Sequence, residues 1–549
     1  MKTKPLSSIL LLLSLLVLLP SPVLLPREQP VVATDTLPAR GVYFDKKHYT
    51  PEPIPTYADN KERLPEPVLE RDPGWVEMYH KTWELAFAHI KAPTRGNAFV
   101  SNYYDEAFDQ NIYQWDIIFM TMFGKYAHHV FPGIRSLDNF YCSQRPSGAI
   151  SRMISERNGR DYFSSEDDPN FINPPLFSWA EVENFRISGD KARLLEVLPA
   201  LEKYHEFVRS KRNGDDTPHQ LYWSNGQSSG MDNTPRDEGR PRTHWSSDHQ
   251  GWVDASAQMV IQCDNIATIC DELGLAAKAA DYRERGKQIA SRVNTWMWDD
   301  ADGIYYDISV DGARGRWKTI AAFWPMLAGI TNPRQDSALI AHLQNPDEFW
   351  RDMIFPSLAA SHDVYQARGG YWLGAVWAPT NYAVIKGLER VGANAFAHEA
   401  SERYIEALYQ VYLQTGTLWE NYAPEKIDGR FTQGVNDRTP PADCRSDFVG
   451  WTGLGPISLL VENVLGFRVD GVRRTVTYDL RRLDHHGIRR LRLADITTTI
   501  TTANREQKPT AASITVTADK PYTLVILFGD KRREYAIRPG TRVIRLTSR

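Results

Sequence analysis

Apolar residues recur at alternating three- and four-residue steps from about Glu77 to about Leu465, the spacing that lines one face of a helix. The clearest run is Trp252, Ala255, Met259, Cys263, Ile266, Cys270 and Leu273. Ala279, Tyr282, Gly286, Ile289, Val293 and Trp296 repeat the pattern immediately afterwards. The short join at Gly274–Leu275 predicts that these two helices are antiparallel neighbours. Similar spacing predicts helices near 78–91, 114–130, 175–188, 191–211, 316–328, 335–344, 374–391, 395–412 and 450–465. Long segments rich in Gly, Pro, Asn, Asp and Trp separate them, and long ordered loops in a domain tend to carry function. Helical hairpins with their long loops at one end suggest an α/α barrel or toroid, although periodicity alone predicts only the helices.

The pattern changes near Gly466. VRRTVTYDL, ITTTITTA, ASITVTAD, YTLVILFG and TRVIRLT are short Val, Ile, Thr and Tyr runs, several of them alternating, which predict strands. Residues 468–549 therefore read as a small antiparallel β-domain with a structural role, a carbohydrate-binding role being the alternative. Residues 77–467 form the helical domain. Residues 34–76, rich in Pro, charge and Tyr, read as an extended arm that wraps it.

At the N-terminus, Lys2 and Lys4 precede an apolar run at Ile9–Leu19, which Pro20, Pro22 and Pro26 end. That run is shorter than the ~20 residues of a membrane span and reads as a secretory signal over 1–33. Cleavage near Val31–Ala33 or near Ser21 fits. The expectation is an exported chain, periplasmic or extracellular, with no stable membrane insertion after cleavage.

Composition adds two limits. A chain of 549 residues exceeds one small core. Its formal charge of −4, read as spread along the chain, gives no basic footprint for nucleic acid. Of the four cysteines, Cys263 and Cys270 lie seven helical residues apart, ~10.5 Å at 1.5 Å per residue. That is beyond disulfide reach, so both read as core residues, while a Cys142–Cys444 bridge stays open. No CxxC or HExxH pattern supports zinc. Asp237, Glu238, His244, Asp248 and His249 resemble metal ligands only superficially, so no metal or cofactor is expected.

The sixteen Trp and twenty-five Tyr are the compositional oddity. Within LYWSNGQSSGMDNTPR, residues 221–236, Asp232 stands on a loop of turn formers close to Tyr222, Trp223 and Arg236. Alone, it reads equally as a capping or turn-closing acid. TLWENYAP, residues 417–424, sets a second acid, Glu420, between Trp419 and Tyr422. Two carboxyl groups among aromatic residues fit glycosidic bond cleavage, which needs an acid for the leaving oxygen and a base for water. Aromatic faces suit the C–H faces of sugar rings.

Six segments in order over more than three hundred residues carry a resemblance. They are QWDIIFM (114–120), NPPLFSWA (173–180), SGMDNTPR (229–236), GGYWLGAVWAPTNY (369–382), TLWENYAP and VGWTGLGPISLL (449–460). Together they resemble glycoside hydrolase family 63 and the related trehalases, most closely the bacterial mannosylglycerate- and glucosylglycerate-hydrolase-like members. The resemblance implies an (α/α)6 barrel and an inverting, exo-acting hydrolase of an α-linked, glucose-type terminal sugar. It maps the general acid to Asp232 and the general base to Glu420, which would stay ionised. Asp116 is expected on a sugar hydroxyl, with the capping of its helix as the alternative. Trp115, Trp223, Trp372, Trp377 and Trp419 would stack on rings or serve the core. Tyr371, Asn381 and Arg236 would be polar contacts or framework. Leu373 stands where the family usually has Arg, and Ala375–Val376 where Gly-Pro is common, which leaves the substrate open. A polysaccharide lyase and a non-catalytic glycan-binding protein are the competing readings. Carbohydrate is the expected partner in all three.

Overall fold

The computed structural model describes Tyr43 and residues 47–106, 110–163, 167–236 and 250–548. The predicted signal, 1–33, and the Asp237–His249 stretch lie outside the described residues.

Twelve of the helices among the described residues alternate between an outer and an inner layer. They are α1 (Pro73–Ala88), α2 (Gln114–Gly124), α3 (Leu137–Cys142), α4 (Phe177–Ser188), α5 (Lys191–Arg212) and α6 (Val253–Glu272). The second half comprises α7 (Ala276–Trp296), α8 (Trp324–Ala328), α9 (Pro333–Leu343), α10 (Ala378–Arg390), α11 (Asn394–Thr415) and α12 (Gly455–Val464). Each even-numbered helix packs on the next, and α12 packs back on α2, so the inner six close a ring. Burial separates the layers. Every residue of α2, α8 and α12 is buried, whereas α9 buries only Gln335, Leu339 and Leu343.

Sequence periodicity reads the outer layer better than the inner one. In α7 the buried set is Ala279, Tyr282, Gly286, Ile289 and Val293, the predicted face apart from Trp296. Gly286 packs against Cys263 of α6, where an added Cβ would lie 3.3 Å from the Cys263 Cβ. Burying one large apolar side chain of such a face contributes about 1.5–3 kcal/mol. In α6, by contrast, Val253, Ala257, Val260 and Ile261 are buried as well as Trp252, Met259, Cys263, Ile266 and Cys270 of the predicted stripe, while its Ala255 and Leu273 are half-buried, because a helix inside a ring has neighbours on several sides. Two predicted starts also shift. Residues 374–377 are loop, and α10 begins at Ala378 with Pro379 in its first turn, a position where proline needs no hydrogen bond. Residues 316–319 likewise lie outside any helix, ahead of a 3-10 turn at Ile320–Phe323.

Helices in a hairpin run in opposite directions, so the six inner helices run together and the loops entering them gather at one end. Just inside that end, Trp115, Trp179 and Trp324 of α2, α4 and α8 meet on the axis, Trp324 lying 6.5 and 6.4 Å from the other two rings. At the opposite end, buried Lys125 bridges Glu183 and Glu462, 3.0 Å from each, and Lys386 reaches Glu462 at 2.9 Å. Lysines beside helix C-termini offset the negative ends of the helix dipoles.

From Phe467 the chain forms two sheets that pack face to face. One runs Glu66–Leu69, His486–Leu493, Ile496–Thr502, Ala511–Ala518, Gly540–Thr547 in spatial order. The other runs Lys531–Ile537, Tyr522–Phe528, Thr475–Asp479, Phe467–Asp470. Hydrogen bonds of Tyr478 to His486 and Thr502, both 2.7 Å, cross between them. The domain is antiparallel except that 522–528 and 475–479 pair in parallel. Its outermost strand comes from the segment before α1, with Glu66 opposite Arg489. Ala494 N–H donates to Ile187 O at 2.7 Å, fixing the β-domain to the end of α4.

The net charge is not spread along the chain. Residues 467–549 hold 18 Lys and Arg against 8 Asp and Glu, so the remainder is acidic. Lys531, Arg532, Arg533, Arg542 and Arg545 stand on the two edge strands of one side of the sandwich. Charge there discourages pairing with a foreign strand. The four cysteines are buried, and no disulfide joins Cys142 to Cys444.

Candidate active site

Every predicted site residue lies in or beside a segment that enters an inner helix, at the end where those N-termini gather. The local structure of each segment explains its place there. Asn225 caps the short helix Gly226–Ser229 through a reciprocal bond with Ser228, and Gly230 ends it at φ 79°. The loop then drops onto Trp115: a Cβ on Gly230 would lie 2.8 Å from the indole, so only glycine allows this approach. Asp232 follows, partly exposed. Next to it, Asn233 Nδ2 donates to Gly370 O at 3.1 Å, and Asn233 Oδ1 accepts Trp372 N–H at 2.7 Å. The Asp232 loop is thereby joined to the loop carrying Tyr371.

Glu420 is held from several sides. Its backbone N–H donates to Arg445 O at 2.9 Å, and its carbonyl accepts the Trp451 indole N–H at 2.6 Å. Its carboxylate accepts Tyr371 O–H at 3.2 Å on Oε1 and Arg445 N–H at 3.3 Å on Oε2. Only 4% of the residue is exposed. Burial raises its pKa to about 7, with the Asp232 charge adding to the rise and the Arg445 and Tyr371 bonds opposing it. Burial thus brings the expected base closer to its protonated form than a solvated carboxylate would be.

Asp116 sits in the first turn of α2 and is buried. Burial first, and then Glu420 and Asp232, drive its carboxyl well above the usual range. The Tyr371 phenol is raised well above its ordinary value by burial and by the charges of Glu420, Asp232 and Asp116. Three carboxyl groups from three separate segments, the first turn of α2 and two loops, therefore act on one tyrosine. Asp116 Oδ1 and Trp115 Nε1 are buried without a protein partner. An unmade bond at a buried polar atom costs about 1–3 kcal/mol, which polar groups of a ligand would relieve.

The remaining predicted residues divide differently. Trp372 and Trp377 stack at 4.2 Å with planes 2° apart, and Trp377 meets Tyr371 edge-on at 4.9 Å. Both indoles are buried, so they form a wall behind Tyr371. Trp419 is partly exposed, with its indole N–H directed to Thr415 Oγ1 at 3.1 Å. Trp223 is buried beneath the Arg212 guanidinium, 5.1 Å from its ring.

Of the two readings given for Arg236 and Asn381, polar contact or framework, their hydrogen bonds fit framework. Arg236 directs all its donors at protein atoms: Nε and Nη2 to Asp307, both terminal nitrogens to Asp254, and Nη1 also to Met231 Sδ. Its guanidinium lies 4.0 Å from the centre of the Trp252 ring. It clamps the end of the Asp232 loop and offers nothing to a sugar. Asn381 is fully buried, and its amide accepts from Phe355 N and donates to Phe355 O and Trp377 O. Both side chains are framework because every polar atom they own is already satisfied inside the protein.

Sequence reasoning missed Glu106. This buried side chain accepts Tyr113 N–H at 2.9 Å just before α2, and its other oxygen has no protein partner. Burial and the neighbouring Asp116 charge hold its carboxyl well above the usual range. The Asp105–Glu106 acid pair directly after Tyr103–Tyr104 was the available signal, but it lies outside any periodic run.

Comparison with known proteins agrees with this architecture. The family described as mannosylglycerate hydrolase MGH1-like glycoside hydrolase domain matches residues 112–434. An uncharacterised protein of Borreliella burgdorferi is 27% identical over 451 residues, covering 80% of this chain and 90% of that protein. A probable mannosyl-oligosaccharide glucosidase of Schizosaccharomyces pombe is 23% identical over 351 residues, covering 58% of this chain and 40% of that one. Among solved structures, the GH63 mannosylglycerate hydrolase of Thermus thermophilus in complex with glucose superposes with a TM-score of 0.53 at 17% identity. That superposition covers 69% of this chain and 98% of the other, a likeness of fold.

Proposed function

Because the chain belongs to the mannosylglycerate hydrolase MGH1-like glycoside hydrolase family, and is a glycoside hydrolase, we propose that it inverts an α-linked, glucose-type terminal sugar by exo attack. Asp232 is the general acid and Glu420 the general base. Asp232 gives its proton to the glycosidic oxygen as the bond to the anomeric carbon breaks. Glu420 takes a proton from water, whose oxygen attacks that carbon from the opposite face. The products are a β-configured sugar and the free alcohol, and solvent returns the two carboxyl groups to their starting states. Inversion calls for carboxyl groups ~6.5–9.5 Å apart, with room for the water.

The observation that carries this reading is the convergence of Asp232, Glu420 and Asp116 around Tyr371. A base with a pKa of about 7 suits proton abstraction near neutrality. Asp116 and Trp115 bring to the sugar hydroxyls the polar atoms the protein itself leaves unpartnered. The names of the relatives suggest the first substrates to try, namely α-glucosyl and α-mannosyl glycosides of glycerate and of mannose.

The test is to follow the released sugar by proton NMR in the first seconds of reaction. The β-anomer is expected first from an α-linked substrate. Initial release of the α-anomer would overturn the mechanism. We further propose that residues 1–33 direct export, so that N-terminal sequencing of the protein from its native cell should begin beyond them and cell fractionation should find it outside the cytoplasm.

A further inference from the structure

We propose that Tyr371 is a positioning residue for the base: its hydroxyl, presented by a left-handed backbone, aims Glu420 at the attacking water and favours its ionised form. This rests on the assignment of Glu420 as the base.

Tyr371 has φ 65° and follows Gly369 and Gly370 at 101° and 51°. Glycine adopts this region freely, but a tyrosine pays roughly 1–2 kcal/mol for it. Such strain persists only where the surroundings over-determine the backbone, and here they do. Tyr371 N–H donates to Val435 O at 2.9 Å. Its carbonyl accepts the Trp377 indole N–H at 3.2 Å. The Asn233 amide holds the residues on either side, Gly370 and Trp372. The ring rests edge-on against Trp377 at 4.9 Å. All of this restraint fixes one free end, the hydroxyl, 3.2 Å from Glu420 Oε1.

The second carboxylate oxygen receives Arg445 N–H at 3.3 Å. With one donor on each oxygen the carboxylate cannot rotate freely, and lone pairs remain for a water. The phenol stays protonated throughout, since burial and three nearby carboxyl groups oppose its ionisation. It can therefore only donate to Glu420, and a bond donated to a carboxylate favours the charged form. A tyrosine that merely touched sugar would act on substrate binding; this one acts through the base.

The experiment is Tyr371→Phe, which keeps the ring and its packing, measured as full pH profiles of kcat and kcat/KM alongside Glu420→Gln. The expected result is a roughly ten- to hundredfold fall in kcat with KM within about twofold. The acidic limb of kcat/KM should also move upward by about half to one pH unit, because Glu420 loses a donor that favours its ionised state. If the limb stays in place, or if KM rises while kcat holds, the inference is overturned and the base assignment survives. Wild-type turnover in Glu420→Gln would remove the base assignment and this inference together.

Discussion

Asn233 Oδ1 accepts the backbone N–H of Trp372 at 2.7 Å, across 139 positions of sequence. With the companion bond from Nδ2 to Gly370 O, this one amide ties the acid-bearing loop to the loop that presents Tyr371. Asn233→Ala should leave that buried N–H and carbonyl unpaired and lower stability by about 1–3 kcal/mol. Turnover should fall further than the loss of folded protein accounts for, because both loops lose their register. Thermal unfolding and kcat measured on the same preparation check this, and unchanged kcat would show that the loops hold their places independently.

Asp232→Asn and Glu420→Gln should each fold normally and lose about 10²–10⁴ in rate, the usual contribution of a positioned acid or base. Circular dichroism paired with initial rates separates lost chemistry from lost fold. Near wild-type rates in either variant would remove that residue from its role.

The pH dependence follows from the position of Glu420 near pH 7. A base must be deprotonated to act, so kcat/KM should rise with pH through about 7 and level off above it. An acidic limb centred near the ordinary carboxylate value, between pH 4 and 5, would mean that Glu420 is better solvated than its burial implies.

Stability carries the opposite sign. Burial raises the folded-state pKa of Glu420 above its unfolded value, so the folded protein holds that proton more tightly than the unfolded chain. As pH rises from the unfolded value through about 7, folding loses free energy on the order of a few kcal/mol at this site. Glu420→Gln never ionises. It should therefore melt above wild type at pH 8 and close to it at pH 5, while remaining inactive. Equal melting temperatures at both pH values would count against a buried, ionising Glu420.

Arg236 is wholly enclosed between Asp254 and Asp307, 2.7 and 2.6 Å from their oxygens. Arg236→Met would leave the buried Asp254 and the half-buried Asp307 carboxylates without their cation, at a penalty of up to about 3–5 kcal/mol for breaking a buried pair. Chemical denaturation measures this. Lysine should restore little, because it cannot match the two bidentate contacts. A variant as stable as wild type would return Arg236 to the list of substrate contacts.

How much of this was legible beforehand depends on the range of the forces involved. The apolar face of α7 could be read residue by residue, since helical spacing is a local property and an outer helix has a single neighbour to cover. Asp232 and Glu420 stood out because aromatic residues flank each of them, and the resemblance of SGMDNTPR and TLWENYAP to family segments gave them their roles. Glu106 could not, because its partners Tyr113 and Asp116 give it meaning only once α2 is in place.

The chain's own order of residues thus settled which stretches coil, which extend, and which two acids stand among aromatic residues outside the helices, all through interactions reaching a few residues. Closure of the inner ring joined loops more than a hundred positions apart, and only that closure set Asp116, Asp232 and Glu420 around Tyr371. The same closure withdrew Arg236 and Asn381 from the substrate by surrounding them with partners, and it raised Glu420 toward neutrality by removing water. Desolvation and long-range pairing are properties of the packed molecule, and no run of neighbouring residues encodes them alone.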